Sequence, residues 1–231
     1  MSSNAVVLTI NSLSKEIKKL KGIKDYKRNK YLSDLDKLAN QYKDLELPDY
    51  FKKQYNQLNS KGNELLKDIR GGKHVDNVAN DIPIYIRYLK ASLMDFQDKT
   101  NNLKWYLFSF YITGAFFFAL TPQFYGFVLP VIFIVPIFLG VRGCKKRSMN
   151  GFLMSMSIVP VAIMTAVTWI RYGIQAMGDY DRYVQAIVEG SNLAQGLAEK
   201  LVYVGFIGGI ILLILACCQL FLGLKNKDLF I

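Results

Sequence analysis

The chain reads as an all-α, polytopic membrane protein, with four transmembrane helices preceded by a cytosolic helical bundle or coiled-coil domain. Three observations carry this reading. Apolar runs in residues 104–231 are long enough to cross a bilayer as helices. Charge is concentrated elsewhere: residues 1–103 hold 19 Lys/Arg and 13 Asp/Glu, residues 104–231 only 10 and 5. Apolar residues in the first region recur at alternating steps of three and four, the spacing of a buried helical stripe. The runs are too long and too continuous for the alternating strands, about ten residues each, of a membrane β-barrel. Two domains follow, 1–103 and 104–231.

In the first domain the stripe appears four times. Val6, Ile10, Leu13, Ile17 and Leu20 form the first series, and Tyr31, Leu35, Leu38, Tyr42 and Leu45 the second. The third is Phe51, Tyr55, Leu58, Leu65 and Ile69, with Gly62 at the intervening position. The fourth is Ile82, Ile86, Leu89, Leu93 and Phe96, continued by Thr100, Leu103 and Leu107. Such heptad spacing presents an a/d seam on each helix. Gly22 falls near the first helix end. Pro48 suits the first turn of the third helix, and Asp49 complements its dipole. Gly71-Gly72 stops that helix, and Pro83 sits near the start of the next. Because the fourth series keeps its register to Leu107, one continuous helix is expected from Pro83 to Leu120, about 57 Å long at 1.5 Å per residue.

The second domain offers four spans: Trp105 to Leu120, Phe124 to Val141, Phe152 to Ile170 and Leu201 to Leu224. A helical connection over residues 172–200, with Ser191 as a cap for a helix through Leu193 and Leu197, lies outside the membrane. Positive charges near span ends fix the orientation. With residues 1–103 in the cytosol, the inner side carries eight (Lys99, Lys104, Arg142, Lys145, Lys146, Arg147, Lys225, Lys227) and the outer side three (Arg171, Arg182, Lys200). Both termini are therefore expected in the cytosol, with the protein integral to a membrane. Lys- and Asn-rich usage hints at a bacterium, for which this is the plasma (inner) membrane. The apolar stretch Ala5 to Ile10 is too short for a secretory signal and no basic residue precedes it, so the first span serves as the insertion signal.

Candidate site residues come from the spans and from one charge cluster. Ile134-Val135-Pro136 recurs as Ile158-Val159-Pro160; each proline removes a helical N–H, making Pro136 and Pro160 candidates for a paired kink or gate. Ser155, Ser157, Thr165 and Thr168 are candidates for a polar path, although such side chains commonly bond their own or a neighbouring helix. Gly205 and Gly209 have the spacing that lets two helix backbones approach. Residues 15–30 contain Lys15, Lys18, Lys19, Lys21, Lys24, Lys27, Arg28 and Lys30 against two acids. This cluster suits anionic lipid headgroups; an acidic partner, nucleic acid or a merely solvated face is the alternative reading.

No Asp, Glu, Lys or His lies at the middle of a span, which argues against proton- or sodium-coupled carriers and voltage sensors. Arg70-Gly71-Gly72-Lys73-His74 lacks the glycine spacing and the Ser/Thr of a phosphate loop. Cys144, Cys217 and Cys218 form neither a disulfide framework nor, with His74 far away, a zinc set. The expectation is a non-enzyme without cofactor or metal. Its first functional reading is a homo-oligomeric channel or pore for ions or small solutes, gated or assembled by the cytosolic domain. The alternative is a membrane-anchored interaction or assembly protein that recruits a partner through that domain. The expected partners are the bilayer, anionic headgroups, further copies of the chain and a protein at the bundle. The net charge of +11, once apportioned to the 15–30 cluster and the 142–147 loop, argues for topology rather than nucleic-acid binding.

Overall fold

The computed structural model describes residues 4–72, 74–191 and 194–231, without the side chain of Ser191. Their regular structure is helical throughout. The chain divides into two compact units. One contains the residues up to Asn101 together with Asp228–Ile231; the other is Asn102–Lys227.

The first unit is built from α1 (Asn4–Lys19), α2 (Asp25–Lys43), α3 (Lys52–Arg70) and α4 (Val75–Phe96). Helix α1 packs on α2 and α3, and α4 closes against α2 and α3. The core is the inner face of each apolar series: Val6, Ile10, Leu13 and Ile17 meet Leu35 and Leu38, Tyr55 and Leu58, and Ile82, Ile86 and Leu89. Burying a Leu or Ile side chain contributes about 1.5–3 kcal/mol. Tyrosines extend this core with directed bonds. The Tyr42 hydroxyl donates to the Leu89 carbonyl at 2.8 Å, and the Val6 N–H donates to the Tyr55 hydroxyl at 3.0 Å. Burial pushes the Tyr42 and Tyr85 phenols far above their ordinary range, so both stay neutral. Gly62 is explained by the same packing: a Cβ there would overlap the Tyr85 hydroxyl and the Thr9 methyl. Residues 228–231 return to this unit, where Lys90 lies 3.5 Å from Asp34 and 4.0 Å from Asp228.

Three sequence expectations are corrected here. Pro48 precedes a 3-10 turn, Asp49–Phe51, and α3 begins only at Lys52. Pro83 lies inside α4, which starts eight residues earlier at Val75. The helix expected to run unbroken from Pro83 to Leu120 is two helices, ending at Phe96 and resuming at Asn101. Its stop has a definite chemistry. Asp98 takes the left-handed conformation (φ 55°), its N–H bonds the Asp95 carbonyl at 3.0 Å, and the Lys99 N–H bonds the Met94 carbonyl at 2.9 Å. These are the paired bonds of a helix C-terminal motif usually made by glycine; Asp is one of the few other residues that tolerates the conformation.

The second unit contains α5 (Asn101–Leu120), the short α6 (Pro122–Tyr125), α7 (Val128–Lys145), α8 (Met149–Met156), α9 (Ile158–Gly178), α10 (Tyr180–Ser191) and α11 (Gln195–Asn226). Four segments are long and apolar enough to cross a membrane: Asn101–Leu120, Val128–Lys145, Met149–Gly178 and Gln195–Leu229. Boundaries differ from expectation where turns intervene. Gly126 (φ 61°) separates α6 from α7, so Phe124 lies outside the second long helix. A turn at Ser157 divides the third segment. Helix α9 continues to Gly178, which shortens the connection expected over 172–200. Ser191 ends α10, and the backbone position that starts α11 belongs to Ala194. The Ser191 side chain and Leu193 lie outside the described residues.

Outward faces of this unit are apolar. On α7, Val128, Val131, Ile132, Ile134, Val135, Phe138 and Leu139 are all exposed. Ile207, Ile211, Ile214 and Phe221 are exposed on α11. Inside, α9 and α11 pack along much of their length.

Candidate functional site

Two constellations stand out, one in each unit. In the first unit, all seven lysines of the 15–30 cluster are exposed, and Arg28 is half-buried. Arg28 is taken up locally: one guanidinium nitrogen donates to the Ile23 carbonyl at 3.1 Å and another lies 3.0 Å from Asp25. Glu16 is held between Lys19 at 3.5 Å and Arg70 at 3.2 Å. The Arg70 hydrogen bond keeps its carboxyl below the ordinary carboxylate range. Lys15, Lys18, Lys21, Lys24, Lys27 and Lys30 have no ion-pair partner among the described residues.

The Arg70–Glu16 pair joins residues 54 positions apart. It places the C-terminal end of α3 beside the C-terminal end of α1. A Cβ on Gly22 would lie 3.1 Å from the Val75 side chain, so the α1–α2 and α3–α4 turns are neighbours as well. Lys67, Arg70 and His74 therefore share one end of the bundle with the 15–30 cluster. The sequence cluster identified most of this surface but not its α3 side.

In the second unit, the interior carries a polar node centred on Ser155 of α8. The Tyr106 and Ser155 hydroxyls share a hydrogen bond. The Cys144 thiol donates to Ser155 Oγ at 3.3 Å, while Ser155 Oγ donates to the Phe152 carbonyl at 2.8 Å. Gln219 Nε2 donates to the Ser155 carbonyl at 2.9 Å, and Gln219 Oε1 is buried without a hydrogen-bond partner among the described residues. Four helices (α5, α7, α8 and α11) thus converge on one serine. They reach it because α7 and α8 touch backbone to backbone: a Cβ on Gly143 would strike Gly151. All members of the node are neutral, so it links helices without placing a charge between them.

The four candidate polar-path residues do not share a face. Ser155 and Thr165 are buried, Ser157 is exposed and Thr168 is half-buried. Ser157 Oγ donates to the Met154 carbonyl at 2.7 Å and Thr168 Oγ1 to the Met164 carbonyl at 2.9 Å. Thr165 meets the Thr121 hydroxyl at 3.4 Å, and Tyr125 meets Thr168 at 2.9 Å. The two prolines also differ. Pro136 lies within the unbroken α7, whereas Pro160 occupies the first turn of α9, just after the Ser157 turn, where a missing N–H is tolerated. Gly205 and Gly209 lie against Trp169 of α9. A Cβ on Gly205 would overlap the indole ring, and one on Gly209 would sit 2.7 Å from Trp169 Cβ. The indole N–H donates to the Leu120 carbonyl at 2.9 Å, so the glycines clamp a tryptophan that also holds α5.

Among the described residues, no group of three or more His, Cys, Asp or Glu side chains is arranged to hold a metal ion. Sequence reasoning missed Tyr106, Cys144 and Gln219 as members of one node. It also missed the contribution of Lys67 and Arg70 to the basic end. No protein-family model, curated protein or solved structure matches the chain.

Proposed function

We propose that this chain is an integral membrane protein that holds a helical interaction unit at a membrane surface. Four helices cross the bilayer, both termini lie in the cytosol, and the first unit is the part that meets a partner. The observation that carries this reading is the placement of polarity in the second unit. Tyr106, Ser155 and Gln219 are turned inward and bonded to one another's groups, while the outward faces are aliphatic and aromatic. Helices that contact lipid need their polar groups satisfied internally, and this unit satisfies most of them within one protomer.

A pore made by several copies would instead draw its polar lining from outward faces. For that reason the anchored-interaction reading stands ahead of the channel reading. The even number of crossings has separate support, because the chain leaves the bundle at Asn101 and rejoins it at Asp228. The positive-charge bias, eight inner residues against three outer, supports the orientation.

The test is reconstitution of the full chain into liposomes. Protein that resists alkaline extraction and leaves ion flux at the level of protein-free vesicles fits the proposal. Flux well above that level, from a preparation whose mass in detergent is several protomers, replaces it with the pore reading. Release by alkaline extraction removes both.

A further inference from the structure

The basic end of the first unit is larger and more one-sided than its sequence cluster. Folding brings Lys67 and Arg70 of α3 beside the 15–30 segment through the Arg70–Glu16 contact. Ten Lys/Arg then stand at this end (the eight of residues 15–30, Lys67 and Arg70) against Glu16, Asp25, Asp68 and Asp76. The acids are engaged locally. Glu16 is held by Arg70 and Lys19, Asp25 by Arg28, and Asp76 lies 3.6 Å from His74. Asp68 has its own interaction. The end is therefore a field of exposed lysines in which Glu16 and Asp25 are already paired.

The opposite end differs. Tyr42 and Phe51 both meet Phe96 edge to face, bringing the C-termini of α2 and α4 together with the start of α3. There Asp44, Glu46, Asp49, Asp95 and Asp98 outnumber Lys43, Lys52, Lys53 and Lys99. The bundle is thus electrically polarised along its axis. Residue 101, where the chain passes into the second unit, belongs to this nearly neutral end. Helix α4 separates it from the basic end by 22 residues, roughly 33 Å at 1.5 Å per residue.

We infer that this composite basic end docks on an anionic lipid bilayer, a contact that rests on the anchored reading above and names the partner of its interaction unit. The chemistry favours a headgroup surface over a specific site. The free cations are lysines, which act as point charges rather than as the planar forks that read individual phosphates. Tyr26, 78% exposed between Lys24 and Lys27, adds an amphipathic ring of the kind that settles at the bilayer interface. Within the bundle, the basic end lies the length of α4 from residue 101.

The test places the full chain in nanodiscs of neutral phosphatidylcholine and adds protein-free vesicles. Vesicles containing phosphatidylserine are captured, and all-phosphatidylcholine vesicles are not. Capture weakens as salt rises from 0.1 M to 1 M, where the Debye length falls from about 10 Å to about 3 Å. Each lysine near an anionic surface is worth about a fivefold factor in partitioning, so the triple variant K21A/K24A/K27A lowers capture on the order of 100-fold. All three side chains are exposed, so helical content is retained. Lys67→Ala lowers capture about fivefold, although it lies far from the cluster in sequence.

Equal capture of neutral vesicles, or none of either kind, overturns the inference. So does capture of a DNA duplex without capture of phosphatidylserine vesicles. No change in Lys67→Ala overturns the composite surface. A chain that fails to enter nanodiscs brings down the anchored reading and this inference with it; a chain that enters them and captures nothing brings down this inference alone.

Discussion

The two units use the same helical element and reverse its polarity. In the first, Leu13, Ile17, Leu89 and their neighbours fill the centre, and lysines cover the outside. In the second, a serine, a tyrosine, a cysteine and a glutamine meet in the interior, and isoleucine, valine and phenylalanine cover the outside. On the proposed reading, the difference follows from two solvents. Water rewards apolar burial and tolerates charge at the surface. Hydrocarbon gives little reward for burying a leucine, so helices there are held by close backbone approach and internal hydrogen bonds. Among the described residues, close packing falls on one glycine inside the bundle's helices, Gly62, but on Gly140, Gly143, Gly151, Gly173, Gly205, Gly209 and Gly223 in the apolar unit.

The sharpest way to break this comparison is to deny the apolar unit its close approach. Gly205→Val drives two methyls into the Trp169 ring and is expected to cost about 3 kcal/mol, the upper end of the usual range for overpacking. Trp169 fluorescence during denaturation in detergent reads the loss. Gly196→Ala, in the same helix with open space around it, provides the control and should be neutral or slightly stabilising. In the bundle, the matching injury is a void rather than a clash. Leu13 is fully buried, and Leu13→Ala should cost about 3 kcal/mol by circular dichroism during urea unfolding.

Smaller effects sharpen the contrast. Ser155→Ala leaves the buried Tyr106 hydroxyl and Cys144 thiol without their shared acceptor and should cost about 1–3 kcal/mol. Gln219→Leu loses one hydrogen bond but also removes an unpartnered oxygen, so it should cost less than Ser155→Ala. Equal losses in the two variants would mean that the node has no hub. The smallest effect is a pH dependence. Glu16 is held below its ordinary value near 4.5, mainly by its hydrogen bond to Arg70. Its contribution to stability is present above that value and is lost as pH falls through the lowered one. Arg70→Ala should therefore flatten the acid side of the stability profile, a slight change because the pair is exposed.

The apolar series and the four long apolar segments were readable because periodicity and run length are local properties. Gly205 and Gly209 were readable as a contact, but not their partner, since Trp169 lies on another helix. The Ser155–Gln219 bond spans 64 positions, and nothing in the spacing of a serine and a glutamine announces it. The stop at Asp98 was hidden for a different reason. The a/d register runs through it undisturbed, while the break depends on one residue's backbone angle and on carbonyls that the pattern does not record. The return of residues 228–231 to the bundle was equally invisible, because the segment is too short to carry a period.

The contact between α9 and α11 also imposes an order in time. Synthesis proceeds from the N-terminus, so α11 leaves the ribosome after α5, α7 and α9. Until it arrives, Trp169 has no glycine cradle and the Ser155 carbonyl lacks its glutamine donor. Assembly of the apolar unit is therefore completed by its final helix, and a chain cut off before Gly205 would leave the Trp169 ring and the Ser155 carbonyl uncovered.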